Sequence, residues 1–257
     1  MTTPNPNKGR FTWHELLTTD PAKAAVFYSE LMGWSRSEMP MGEMGTYTLF
    51  KQGDAMVAGM MKSPMPGIPS HWLAYVGVDD VDATARDIAA NGGKVVAPPM
   101  DVPGMVRFAV AMDREGAAFG IVRGIGAGPE QPLPDGPPRA GTFCWDELHT
   151  KDQESAKAFY GAILGWTGYA GEGPMAYWHW KNGDKEIGGM MTLQMPNVPP
   201  NWLPYLAVDD VDATAARGAS LGGKIAMPAM DLDKVGKFAV LLDSTGAAFA
   251  LFKSARA

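Results

Sequence analysis

The sequence predicts an α+β fold made of four similar strand–helix–strands modules in one chain, and two observations carry that expectation. First, the chain is written twice. "FTWHELLTTDPAKAAVFYSELMGW" from Phe11 matches "FCWDELHTKDQESAKAFYGAILGW" from Phe143, and "WLAYVGVDDVDAT" from Trp72 matches "WLPYLAVDDVDAT" from Trp202. The same spacing carries "GMM" at Gly59 onto Gly189 and "DREGAAF" at Asp113 onto "DSTGAAF" at Asp243. Second, within each copy, stretches with period-two apolar alternation are interrupted twice by stretches of helical period.

Taken in order, Phe11–Thr18 reads as a strand that places Trp13, Glu15 and Leu17 on one face. Asp20 caps a helix with Pro21 at its first position, where the missing N–H costs nothing. Ala24, Phe27, Tyr28 and Leu31 recur at helical spacing until Gly33 stops the element. Strands follow at Tyr47–Lys51, Met56–Met61 and from Trp72. A second helix is capped by Asp79 or Asp80 and ended by Gly92 and Gly93, and strands at Arg107–Met112 and Ala118–Val122 close the copy. Between the copies, "RGIGAGPEQPLPDGPPRAG" has a Pro and Gly density that no helix or central strand tolerates. The expected division is a polar tail at 1–10, a first domain at 11–122, a linker at 123–141 and a second domain at 142–257.

Composition narrows the function classes. Hydrophobic residues make up 46% and charged residues 19%, the balance of a globular chain. A net charge of −6 disfavours a nucleic-acid surface. No apolar run reaches the roughly 18 residues a bilayer span needs. The opening "MTTPNPNKGR" lacks the apolar core of a secretory signal, and the single Cys144 excludes an internal disulfide. A cytoplasmic protein with no nucleic-acid or membrane partner is the expectation.

The segments "TTDPAKAAVFYSELMGW", "VGVDDVDATARDIAANGGKV" and "DREGAAFGIV", each with its copy, resemble those of the vicinal oxygen chelate superfamily. That superfamily includes glyoxalase I, extradiol dioxygenases, and bleomycin and fosfomycin resistance proteins. The "W-x-E-L-x-T-x-D" opening is similar to that of tandem glyoxalase-like proteins, among them actinobacterial culture-filtrate antigens. The resemblance implies two glyoxalase-like domains, each a pair of βαβββ modules whose curved mixed sheets enclose a cleft, in a monomer or homodimer. It also implies one divalent metal held by His and Glu from four strands. Those four positions fall here on Trp13 and Trp145, on Gly59 and Gly189, on Leu73 and Leu203, and on Gly120 and Ala250. None supplies a usual N or O ligand. No metal or other cofactor is therefore expected, and a divalent metal relocated onto Glu147 and His149 is the alternative.

Trp145, Glu147 and His149 share a face, as do Trp13, Glu15 and Leu17. A carboxylate beside an imidazole is compatible with a general acid–base pair or with an anchor for a ligand amine or hydroxyl. It is equally compatible with a solvated strand-end histidine and a Glu that satisfies a buried donor. Glu147, His149 and Glu15 are the catalytic candidates. Trp13, Trp145, Tyr75, Tyr205, Met60 and Met190 are the ligand-binding candidates, the methionines as a deformable apolar lining or simply as core. His71 reads as a loop histidine, and His179 as surface or pocket lining. The leading expectation is a protein that binds a small organic molecule without the usual metal. The alternative is an enzyme of the glyoxalase-like lyase or isomerase type, or of a dioxygenase-related type, using Glu147 and His149.

Overall fold

The computed structural model describes residues 4–42, 45–127, 130–134, 136–172, 176–195 and 197–255. In the first repeat the order is β1 (Phe11–Thr18), α1 (Pro21–Met32), β2 (Ser35–Pro40), β3 (Thr46–Gln52), β4 (Ala55–Lys62), β5 (His71–Gly77), α2 (Val81–Ala90), β6 (Lys94–Val102), β7 (Val106–Met112) and β8 (Ala118–Gly124). The second repeat gives β9 (Phe143–Thr150), α3 (Gln153–Leu164), β10 (Thr167–Ala170), β11 (Tyr177–Asn182), β12 (Lys185–Thr192), β13 (Asn201–Ala207), α4 (Val211–Ser220), β14 (Lys224–Leu232), β15 (Gly236–Leu242) and β16 (Ala248–Ser254). Each repeat forms one eight-stranded mixed sheet, in the order β2-β3-β4-β1-β5-β8-β7-β6 and β10-β11-β12-β9-β13-β16-β15-β14.

Local chemistry sets the element ends. Asp20 and Asp152 accept backbone N–H bonds from Lys23 and Ser155, and Gly33 and Gly165 end these helices in the left-handed region. Asp80, not Asp79, caps α2 through Ala83 N; Asp79 instead accepts from Asn5 N and pairs with Lys8. The strands that the periodicity does not reveal, β2, β6, β10 and β14, are the four sheet edges. Three of them contain proline (Pro40, Pro98, Pro99 and Pro228), which an edge strand tolerates because its outer N–H groups have no ladder partner. The pairings of β6 with β7 and of β14 with β15 shift register around these prolines.

Packing divides the chain into two compact units that cut across the repeats. The first unit holds Met1–Thr12, Ala74–Asp135 and Asp146–Trp202; the second holds Trp13–Leu73, Gly136–Trp145 and Leu203–Ala257. In the second unit the inner face of α1, with Ala24, Phe27, Tyr28 and Leu31, packs on Leu16, Phe50 and Met60. It also packs on Leu206, Leu241 and Phe249 from the other repeat. In the first unit Phe159, Tyr160 and Ile163 of α3 share a core with Leu148, Met190 and Trp202 and with Ile88, Phe119 and Ile121.

One polar triad is buried in each core. In the second unit Trp72 Nε1 donates to Tyr28 OH at 2.8 Å, and Tyr28 donates to Asp243 at 3.1 Å. In the first unit Trp202 donates to Tyr160 at 2.9 Å and Tyr160 to Asp113 at 3.1 Å. Burial, then the adjacent carboxylate, pushes both phenols well up, so both hold their protons. Burial also raises the Asp113 carboxyl, against the backbone N–H groups of Ala117 and Glu115 that favour its charge.

Two outcomes follow from this packing. Replacing Tyr160 by Phe leaves a buried carboxylate and an indole N–H without their shared partner, and urea unfolding should show a loss of about 1.5–3 kcal/mol. Met190→Ala should cost about 2–5 kcal/mol in the same assay, whereas Met191→Ala, one residue along and on the opposite face, should cost less than about 1 kcal/mol.

Candidate functional site

Strand alternation sorts β1 and β9 into two faces. Leu16 and Leu148 point into the helix-side cores, which turns Trp13, Glu15 and Leu17 on β1, and Glu147 and His149 on β9, to the opposite face. Parallel pairing then places Glu15 beside Gly59 and Leu17 beside Met61, and in the other repeat Glu147 beside Gly189 and His149 beside Met191.

Within the second unit, Trp13, Glu15 and Tyr47 form a closed group. Trp13 Nε1 donates to Tyr47 OH at 3.0 Å, and the Tyr47 hydroxyl donates to Glu15. Burial, and then the Glu15 charge, push the phenol far above its ordinary value, so it stays protonated. The hydroxyl sits over Gly59, where any Cβ would collide with it. The group accordingly occupies the room that a metal-ligating side chain on β4 would need.

The first unit shows a related substitution on another strand pair. Tyr75 lies across Gly120, its register partner on β8, and a Cβ there would run into the ring. It meets Phe108 edge-on, with ring centroids 6.1 Å apart and planes at 71°. In the second unit the partner of Tyr205 is Ala250, whose methyl occupies that place, and the Tyr205 and Phe238 planes make 34° instead. Trp145 lies with Leu203, Tyr205 and Ala250 in a small apolar cluster.

Within the first unit, Glu147 and His149 are brought together: His149 Nε2 lies 2.8 Å from Glu147 Oε1, with side chains 16% and 8% exposed. The row through Glu147 and Gly189 continues to His179 and then Tyr169, and the row through His149 and Met191 continues to Tyr177. His179 stacks on Tyr169 at 4.8 Å, meets Tyr177 edge-on at 5.0 Å and faces Glu186 at 3.7 Å. Its place on this face was open in the sequence; the signal lay in Trp178 and Trp180, which pack against the core and so turn the residue between them the other way.

Of the ligand-binding candidates, Met60 and Met190 do not line this face. Both are buried in the helix-side cores, and alternation gives the outer positions to Met61 and Met191. His71 is a loop-side residue whose Nδ1 lies 2.8 Å from Pro69 O. The positions matching the family's metal ligands (Trp13, Gly59, Leu73, Gly120 and their copies Trp145, Gly189, Leu203, Ala250) do not fit a divalent ion. Among the described residues no three His, Cys, Asp or Glu side chains converge on one point.

Comparison with known proteins agrees with this architecture. Residues 10–121 match the family model described as Glyoxalase/Bleomycin resistance protein/Dioxygenase superfamily. The chain is 38% identical to "Putative glyoxylase CFP32" of Mycobacterium tuberculosis over 96% of both chains. It is 34% identical to "Anthracycline biosynthesis protein DnrV" of Streptomyces peucetius, over 95% of this chain and 92% of that one. The fold is similar to the Mn(II)-bound glyoxalase of Novosphingobium aromaticivorans, with TM-score 0.65 and 17% identity over 96% of this chain and 82% of the other. It is also similar to the 2,3-dioxygenase LapB of Pseudomonas sp. KL28, with TM-score 0.65 and 12% identity over 99% and 94%. The repeated modules, the two mixed sheets and the full-length relatives together place this chain in the glyoxalase/bleomycin resistance protein/dioxygenase superfamily.

Proposed function

We propose that this chain binds a small organic molecule on the inner face of its sheets without the divalent metal usual in the superfamily. The observation that carries this reading is Tyr47: its ring fills the room above Gly59 while Trp13 and Glu15 satisfy its hydroxyl. A void left by a missing ligand would admit water or an ion, and a packed, hydrogen-bonded phenol admits neither. The relatives add support from their names, since a glyoxylase and an anthracycline biosynthesis protein both imply small organic ligands. The face bearing Glu147, His149, Tyr177 and His179 combines polar groups with aromatic walls, as small-molecule sites do. A second reading, an enzyme of glyoxalase or dioxygenase-related type, is favoured by the direct contact between Glu147 and His149. Among the described residues no helix is long and apolar enough to cross a membrane. The net charge of −6 disfavours a nucleic-acid partner, and the reading is of a cytoplasmic monomer or homodimer.

Two measurements test the leading reading. Purified protein loaded with Mn, Ni, Zn or Fe and then desalted should retain far less than one metal per chain by elemental analysis. Stoichiometric retention that falls in a Glu147→Gln variant would sink the reading. Gly120→Ala and Gly59→Ala should each destabilise the fold by about 1–3 kcal/mol, because the added methyl meets a tyrosine rather than open space; a neutral effect at both would show that the rings lie elsewhere.

A further inference from the structure

The contact between Glu147 and His149 determines which nitrogen of the ring is reactive. A carboxylate oxygen accepts hydrogen bonds, so at 2.8 Å Glu147 Oε1 selects the imidazole tautomer that donates from Nε2. The lone pair is then on Nδ1. Among the described residues Glu147 is the ring's one hydrogen-bond partner, and the His149 side chain is 16% exposed. An imidazole held in one tautomer by a carboxylate is the arrangement in which the ring takes a proton and the carboxylate stabilises the cation that forms.

The end of β9 that carries His149 is also held more firmly than its counterpart. Glu115, in the turn after β7, accepts from Lys151 N at 2.7 Å and Asp152 N at 3.1 Å, and from Thr150 Oγ1. At the end of β1, where Leu17 replaces the histidine, hydroxyls do this work: Thr18 Oγ1 donates to Thr245 Oγ1 at 3.1 Å and Thr19 N to Ser70 Oγ at 3.0 Å. A charged acceptor gathering three donors makes stronger bonds than neutral hydroxyls. The stiffer clamp coincides with the strand that carries an ionisable group. On the neighbouring strands Tyr177 and Met191 share the row of His149, and Gly189 and His179 share the row of Glu147.

We propose that His149 Nδ1, oriented by Glu147, is a general base for small planar organic molecules that carry an acidic hydroxyl or a C–H bond next to an electron-withdrawing group, at a site in the second repeat. Nδ1 takes the proton, and the electron pair of the broken O–H or C–H bond stays on the ligand. The imidazolium is stabilised by Glu147, and the proton leaves to another ligand atom or to water. The proposal rests on the reading of this face as a ligand-binding face, but not on the absence of a metal.

The probe is 5-nitrobenzisoxazole, a flat molecule whose one acidic ring C–H is removed by a base as its N–O bond opens, placing the electron pair on a coloured phenolate. Chelator-treated full-length protein should accelerate this opening. His149→Leu, which installs the first-repeat residue, should lower the rate by about 100-fold and Glu147→Gln by about 10-fold, within the range that a positioned base contributes. His71→Ala should leave the rate unchanged. Diethylpyrocarbonate labelling with peptide mass mapping tests the same atom without a bound ligand: His149 should be modified in the native protein, and more slowly in Glu147→Gln. Equal rates of probe opening in native and His149→Leu protein, or an unreactive His149, would overturn the proposal. Stoichiometric metal binding would overturn the metal-independent reading instead, so the two failures are separable.

Discussion

Strand alternation is the constraint on which the rest of this molecule depends. Every side chain of β1, β4, β9 and β12 faces either the helices or the opposite side of the sheet, and a slip of one residue would exchange the two sets. Leu148 and Met190 are fully buried on the helix side, each worth about 1.5–3 kcal/mol of burial. That energy keeps Glu147 and His149 where they are: moving Leu148 out of the core would be the cost of moving either polar residue into it. The site is thus oriented by apolar residues that face away from it.

The same constraint explains what could be read from the residues and what could not. The repeat, the helix caps at Asp20 and Asp152 and the shared face of Trp13 and Glu15 are local signals, legible because capping and alternation act over a few residues. The edge strands were not legible, because Pro98 and Pro99 or the exposed "SRSEMP" of β2 carry no buried alternation. Met60 and Met61 were separable only with the register, since two adjacent methionines give no parity of their own. The interleaving of the repeats was least accessible. Tyr28 bonds Asp243 across 215 positions, and a duplicated sequence shows that two segments are alike without showing which segment each one packs against.

Duplication also provides an internal comparison. At two places on the inner face an aliphatic residue of the first repeat becomes an imidazole in the second: Leu17 becomes His149 and Leu49 becomes His179. Both pairs keep their register, beside Met61 and Met191 or beside Gly59 and Gly189. A leucine satisfies such a position by packing alone, whereas an imidazole brings donors and acceptors that need partners, and here Glu147 and Glu186 stand beside them. The aromatic positions differ too: Tyr205 pairs with Ala250 and meets Phe238 at 34°, whereas Tyr75 pairs with Gly120 and meets Phe108 at 71°. The two sheets therefore share a backbone plan and carry different chemistry.

Tyrosine packing over glycine bears on how the positions that the family resemblance assigns to metal ligands are filled in this chain. A ligand side chain and a phenol ring cannot share the space above Gly59, nor a carboxylate and a ring the space above Gly120. At each place the glycine and the tyrosine are a matched pair: enlarging the glycine alone creates overlap, and shrinking the tyrosine alone leaves a cavity. Placing a metal-binding side chain at either position would require changing both members together. Tyr47 adds a polar condition, because its hydroxyl is tied to the half-buried Trp13 indole and the buried Glu15 carboxylate, and its removal would take that shared partner from both. Membership of the superfamily thus transmits the sheet and its inner face, while the chemistry performed there is set by the side chains that now fill it.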